Sequence, residues 1–196
     1  MRALYSLAAL VVTTLLSSVA HTEQKTFYSR QTDPFWSVTG ANDTSTGQAD
    51  CFAEADRKDG STIQIHRSLV TGELWAVIHG IEWDIQSKNG TLRWNFYGPG
   101  SKGDLIAGTD FHYEVSDKNT VLVLNITPNA FSEAFWNSTF FAIIMPGNLS
   151  NLRFDFESKG NTMLSALAEC IKKNEKTFKD TRQPLEKIPD SIKEQL

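Results

Sequence analysis

The chain reads as mainly β: an antiparallel β-sandwich or flattened barrel, closed by one C-terminal amphipathic helix and held by one disulfide. Three observations predict this. From Phe35 onward, short apolar or alternating runs recur between breaks rich in Gly, Asn and Asp, the pattern of strands joined by tight turns. One stretch of helical period follows them, with Met163, Leu164, Leu167, Ala168 and Ile171 on a single face. The only two cysteines fall in these two regions, Cys51 in an early strand and Cys170 in the helix.

Taken in order, the chain begins with Met1-Arg2, an uncharged and mostly apolar run from Ala3 to Leu16, and the small residues of Ser18-Val19-Ala20. This is the layout of an export signal over residues 1–20. The run is too short for a membrane span, and no later stretch reaches spanning length. Residues 21–34 are polar and aperiodic and read as a linker. Phe35-Trp36-Ser37-Val38 reads as a short edge strand, and Thr39 to Ala49 as a loop. Cys51 to Ala55 and Thr62 to His66 read as strands joined by a turn at Asp59-Gly60, where Asp-Gly readily supplies positive φ. Leu74 to His79 and Leu92 to Tyr97 follow, then Leu105 to Ala107 and Phe111 to Val115 as two further strands. Val121 to Leu124 is continuously apolar, as in a strand buried on both faces. Asn129 opens a short helix that carries Phe131, Ala134 and Phe135; Phe140 to Met145 and Leu152 to Glu157 return to strand. The single β-rich domain spans 35–173, and a charged tail with Pro184 and Pro189 occupies 174–196.

An exported chain folds under oxidising conditions, and an even cysteine count there points to a disulfide. The alternative is two free buried thiols. Closing so long a loop stabilises the fold by about 4–5 kcal/mol in the chain-entropy account, less any strain. Asn-x-Ser/Thr triplets stand at Asn42, Asn89, Asn125, Asn137 and Asn148. They are glycosylation acceptors if the export route is eukaryotic.

Several local patterns carry a resemblance. They are Trp36-Ser37-Val38, Cys51-Phe52-Ala53, the Asp59-Gly60 turn, Gly72-Glu73-Leu74-Trp75 and the helix Ala166-Leu167-Ala168-Glu169-Cys170. Over about 36–173 the chain resembles small exported bacterial proteins of unassigned function. Its closing helix is similar to that of the invasion-associated locus B family, whose members typically carry more cysteines. The resemblance implies an exported β-rich domain and transfers no catalytic residue.

Chemistry is narrowed mainly by exclusion. The net charge of −4 and the lack of a basic patch argue against nucleic acid. His-Glu-x-x-His and Gly-x-Ser-x-Gly are absent. Gly98 to Gly103 lacks Walker spacing and reads as a hairpin connection. His66, His79 and His112 fall on different strands, and with Glu82 or Asp84 they form no recognised ligand pattern, so neither a metal nor a cofactor is expected. The carboxylate pairs Glu82/Asp84 and Asp155/Glu157 read as solvated, and no catalytic residue is assigned. The five tryptophans are generous for one domain. Most serve the core; Trp83 and Trp136, near breaks in the pattern, are the candidates for a binding surface. The function these features favour is a non-enzymatic exported binding module, periplasmic or extracellular, acting on an envelope or secreted protein. The alternatives are a β-barrel carrier of a small apolar ligand and a hydrolase without a recognisable motif.

Overall fold

A computed structural model of the chain describes residues 24–80, 83, 85, 88–99, 103–145 and 149–179, with the backbone alone for 128–132. Its strands are β1 (Gln24–Gln31), β2 (Trp36–Asp43), β3 (Gln48–Asp56), β4 (Thr62–Ser68), β5 (Leu74–His79), β6 (Asn89–Tyr97), β7 (Leu105–Asp117), β8 (Thr120–Leu124), β9 (Phe140–Ile144) and β10 (Leu152–Asp155). Helix α1 (Pro128–Asn137) lies between β8 and β9, and α2 (Asn161–Lys179) follows β10. All ten strands join one antiparallel sheet in the order β1-β2-β3-β4-β5-β8-β7-β6-β9-β10. The first five form a meander. The chain then skips two positions to β6, returns through β7 and β8 to meet β5, and uses α1 to reach the far side of β6.

One face of this sheet is the core, and its two halves are filled differently. The inward positions of β3 are Ala49, Cys51, Ala53 and Ala55, all buried and all small. A shallow surface of that kind lets a helix approach closely, and α2 packs on β2 and β3 there with Met163, Ala166, Leu167 and Cys170 buried. Cys170 is bonded to Cys51, with 6.1 Å between the α-carbons. Gly40 on β2 completes the bed: a β-carbon there would stand 2.8 Å from the Cys170 sulfur and 2.4 Å from the Phe27 ring. The other half is aromatic. Trp94 and Phe96 of β6 and Phe141 of β9 are fully buried, and Phe135 of α1 reaches into them. The Phe135 ring centroid lies 5.0 Å from Phe96 and 4.9 Å from Phe141, within the range of favourable ring contacts.

The sheet curls until its ends face each other. Trp36 of β2 packs on Phe156 at 5.4 Å and on Phe154 at 6.3 Å. Its indole N–H donates to the Asp155 carbonyl at 3.0 Å. The Arg57 guanidinium, just past β3, donates to the Arg153 carbonyl. Both carbonyls point away from β9, so side chains from the opposite end of the sheet occupy the outer rim of β10.

Several expectations are corrected. Residues 24–31 of the supposed linker form β1, and α2 runs to Lys179, beyond the predicted domain end at 173. The two corrections share one cause. The Phe27 and Phe178 rings meet at 5.0 Å, Arg30 pairs with Glu169 at 2.6 Å, and Lys173 lies over the Tyr28 ring. These contacts join segments remote in sequence, so neither segment shows a local pattern. The expected loop from Thr39 to Ala49 is strand except at 44–47, because its small residues seat the helix. The two strands expected over 105–115 are one, with Gly108 inside it: a β-carbon there would stand 2.6 Å from the Arg93 guanidinium. In β8, Val121 and Val123 are buried while Leu122 and Leu124 are only half-buried. α1 starts after Thr127, which stands at the N-cap position without a side-chain capping hydrogen bond, with Pro128 in its first turn, rather than at Asn129. The export signal at 1–20, residues 21–23 and the tail from 180 lie outside the described residues.

Replacing both cysteines by alanine removes a crosslink between residues 119 apart. The expected loss is about 4–5 kcal/mol, read from the denaturant midpoint. Gly40→Val should destabilise by about 1–3 kcal/mol, because the Cys170 sulfur beside it is held in place by the disulfide.

Candidate functional site

The outer face of β3, β4 and β5 carries aromatic rings that the core does not use. Register places Phe52 opposite His66 and His66 opposite Trp75. The period of two then turns all three outward, since Ala53, Ile65 and Ala76 fill the inner face. Their rings stack in a ladder, with centroids 4.9 Å apart at 24° and 5.1 Å apart at 10°. Each is half-buried.

Polar groups hold the middle rung. The His66 Nε2 lies 3.2 Å from the Gln64 amide oxygen. The Gln64 amide N–H donates in turn to Glu54. On the other side of the ring, Nδ1 stands 3.9 Å from an Asp50 carboxylate oxygen. One hydrogen bond thus orients the imidazole, which stacks between the two aromatic rings while its buried Nδ1 makes no hydrogen bond.

Each end of the ladder opens into a cleft. Beyond Phe52 is a polar one of about 230 Å³, lined by Asp43, Gln48, Asp50 and Gln24. Beyond Trp75 is one of about 390 Å³, lined by Arg67, Gly72, Glu73, Leu74, Leu124, Asn125 and Ile126. It forms where β5 and β8 part: Ala76↔Val123 is their last pair, and the chains diverge past it.

A third and larger cavity, about 670 Å³, lies at the seam between the sheet ends, against Pro34, Phe35, Arg57, Arg153 and Asp155. Phe35 is 48% exposed there. Both of its arginines are already paired: Arg57 with Asp59 at 2.8 Å, and Arg153 with Asp155 at 2.6 Å. The Arg57 hydrogen bond, helped by those from Ser61, holds the Asp59 carboxyl well below its ordinary value of 3.8. Asp59 therefore contributes stability above that ordinary value and loses it progressively as pH falls toward the lowered one. The side chain is half-exposed, so solvent screening keeps the contribution small. In Asp59→Asn, the fall in denaturant midpoint between about pH 4 and pH 2 should be shallower than in the parent chain.

The candidates predicted from sequence are not equivalent in the fold. Trp136 stands on α1, 49% exposed. Trp83 is half-buried and packs against the core; its indole lies on Gly80 so closely that a β-carbon there would stand 1.9 Å away. Cys51 and Cys170 form the disulfide. His79 bonds the Thr120 hydroxyl at 3.0 Å, and His112 lies beside Glu114. Among the described residues no group of three or more His, Cys, Asp or Glu is placed to hold a metal ion. His21, Glu82, Asp84 and Asn148 lie outside those residues, as do 100–102 of the Gly98 to Gly103 loop. The Phe52–His66–Trp75 ladder does not emerge from the sequence, although the alternation in each strand already places the three rings on outward positions. Pairing register, which the turns set, brings them side by side.

No helix among the described residues is long and apolar enough to cross a membrane. No family model, curated protein or solved structure matches the chain.

Proposed function

We propose that the chain is an exported, non-enzymatic binding module, periplasmic or extracellular, that engages an envelope or secreted protein through the outer face of β3–β5. The observation that carries this reading is the half-buried Phe52–His66–Trp75 ladder on the outer face of the sheet. Aromatic rings held rigid at a surface lose little entropy on binding and are enriched among the residues that dominate interfaces. Exposed Trp136 is a second anchor, and half-buried Trp83 is a peripheral one. The signal-like residues 1–20, the disulfide and the resemblance to small exported bacterial proteins support the location.

The interior favours this reading over a lipid carrier. Trp94, Phe96, Phe135 and Phe141 touch one another where a barrel ligand would lie. A hydrolase has less support: the histidine–hydroxyl contact of the described sheet, His79 with Thr120 at 3.0 Å, lines none of the three clefts described above.

The test is cross-linked affinity capture of the mature chain from its native envelope or secreted fraction, with Phe52→Ala, Trp75→Ala and Trp136→Ala beside it. One reproducible protein partner is expected. Its affinity should fall about 10- to 30-fold in the ladder variants, the size of a hot-spot loss. A partner retained equally by all three variants overturns the assignment of this face. A co-purifying lipid without a protein partner returns the carrier.

A further inference from the structure

The cleft beyond Trp75 brings charged and apolar residues together. It is lined by Leu74 and Trp75 of β5, by Leu124 at the end of β8 and by Ile126 just beyond it. Into this apolar setting projects Arg67, half-buried at the end of β4. Its guanidinium lies 3.5 Å from where a β-carbon on Gly72 would stand, so it rests against the bare face of that glycine. Gly72 has φ +78°, a conformation that all but excludes a side chain there. Opposite, Asn125 is left-handed at φ 56° and turns the chain out of β8 to form the other rim.

Arg67 has neither a hydrogen-bond nor an ion-pair partner among the described residues. Every other arginine they contain is paired: Arg30, Arg57, Arg93 and Arg153 each meet a carboxylate. A planar fork of five N–H donors beside apolar walls is suited to a carboxylate that arrives from solution. Glu73 lies on the same rim. One of its oxygens accepts the Thr71 hydroxyl at 3.0 Å, which fixes the carboxylate as a second charged point. The cleft is therefore lined by a cation, an anion and apolar residues that include Leu74 and Trp75. At about 390 Å³ it stands near the small end of the ~300–1,000 Å³ range of ligand sites.

We propose that this cleft binds a small zwitterion bearing an apolar side chain, of the free amino acid class. Arg67 takes the carboxylate, Glu73 takes the ammonium, and Trp75 with Leu74, Leu124 and Ile126 covers the side chain. Both charged groups of the cleft are then neutralised by one ligand, which neither an apolar acid nor an apolar amine achieves. The site goes beyond the protein-partner reading and is tested without any partner.

The experiment is titration calorimetry of the mature, disulfide-bonded chain with L-phenylalanine and L-leucine, against phenylacetate and phenethylamine as single-charge controls. Saturable binding of at least one amino acid is expected, at least tenfold tighter than either control. Arg67→Met should weaken it tenfold or more. Glu73→Gln should weaken the amino acid while leaving phenylacetate unchanged or tighter. Leu124→Trp fills the cleft from the β8 side and should abolish binding, so it probes the same site should Arg67→Met fold poorly by circular dichroism. No saturable binding, phenylacetate binding equal to that of phenylalanine, or binding that survives both Arg67→Met and Leu124→Trp overturns the proposal.

Discussion

The N-terminal half of this fold depends on a close approach of α2 to β2 and β3. The helix comes close because the sheet is shallow beneath it: Ala49, Cys51, Ala53 and Ala55 offer no bulk, and Gly40 offers none at all. The disulfide then makes the approach permanent by bonding the floor of the bed to the helix. Without the helix this half of the sheet would expose a surface too poor in apolar area to bury itself. With it, β1 acquires a partner across the sheet and the C-terminal turns of α2 acquire Phe27. The remaining half needs no such support, since Trp94, Phe96, Phe135 and Phe141 fill their space with their own rings. One sheet is thus closed by two different kinds of packing.

What the sequence disclosed follows the same division. Strands with strong alternation, such as Leu92 to Tyr97 and Thr62 to His66, were legible because each contains its own pattern. The disulfide was legible because only one pairing existed. β1 was not, since its reason for being a strand is a helix more than a hundred residues away. The stretch from Thr39 to Asp43 looked like a loop for a related reason. Small and polar residues that mark turns in one setting mark close helix packing in another, and only the neighbour decides. For the candidate site, the sequence marked five tryptophans as generous for one domain, and Trp136 and Trp75 do stand outside the buried core. It could not say which, because the surface cluster is made by register between strands rather than by spacing within one. Trp83 shows the converse: a residue near a break in the pattern that folds back onto Gly80.

The outer face is organised around a histidine in a structural role. His66 is held by an amide on one side and faces a carboxylate on the other, and the flanking rings inherit its orientation. As the proposed binding face, such a surface would present a shape already formed, with little reorganisation on contact. The clefts at either end differ in character, one carboxylate-rich and one centred on an arginine among apolar side chains.

The rim of β10 has a consequence for the chain in a crowded compartment. An unpaired strand edge is a template on which another copy can continue the sheet, and open antiparallel sheets must guard against it. Here the acceptors that an incoming strand would seek, the carbonyls of Arg153 and Asp155, are already occupied by Arg57 and Trp36 of the same molecule. Polymerisation through this edge would require the curl of the sheet to open first and expose buried Trp36. The tertiary closure of the fold is therefore also its safeguard against fibre growth along β10, and the two are lost together or not at all.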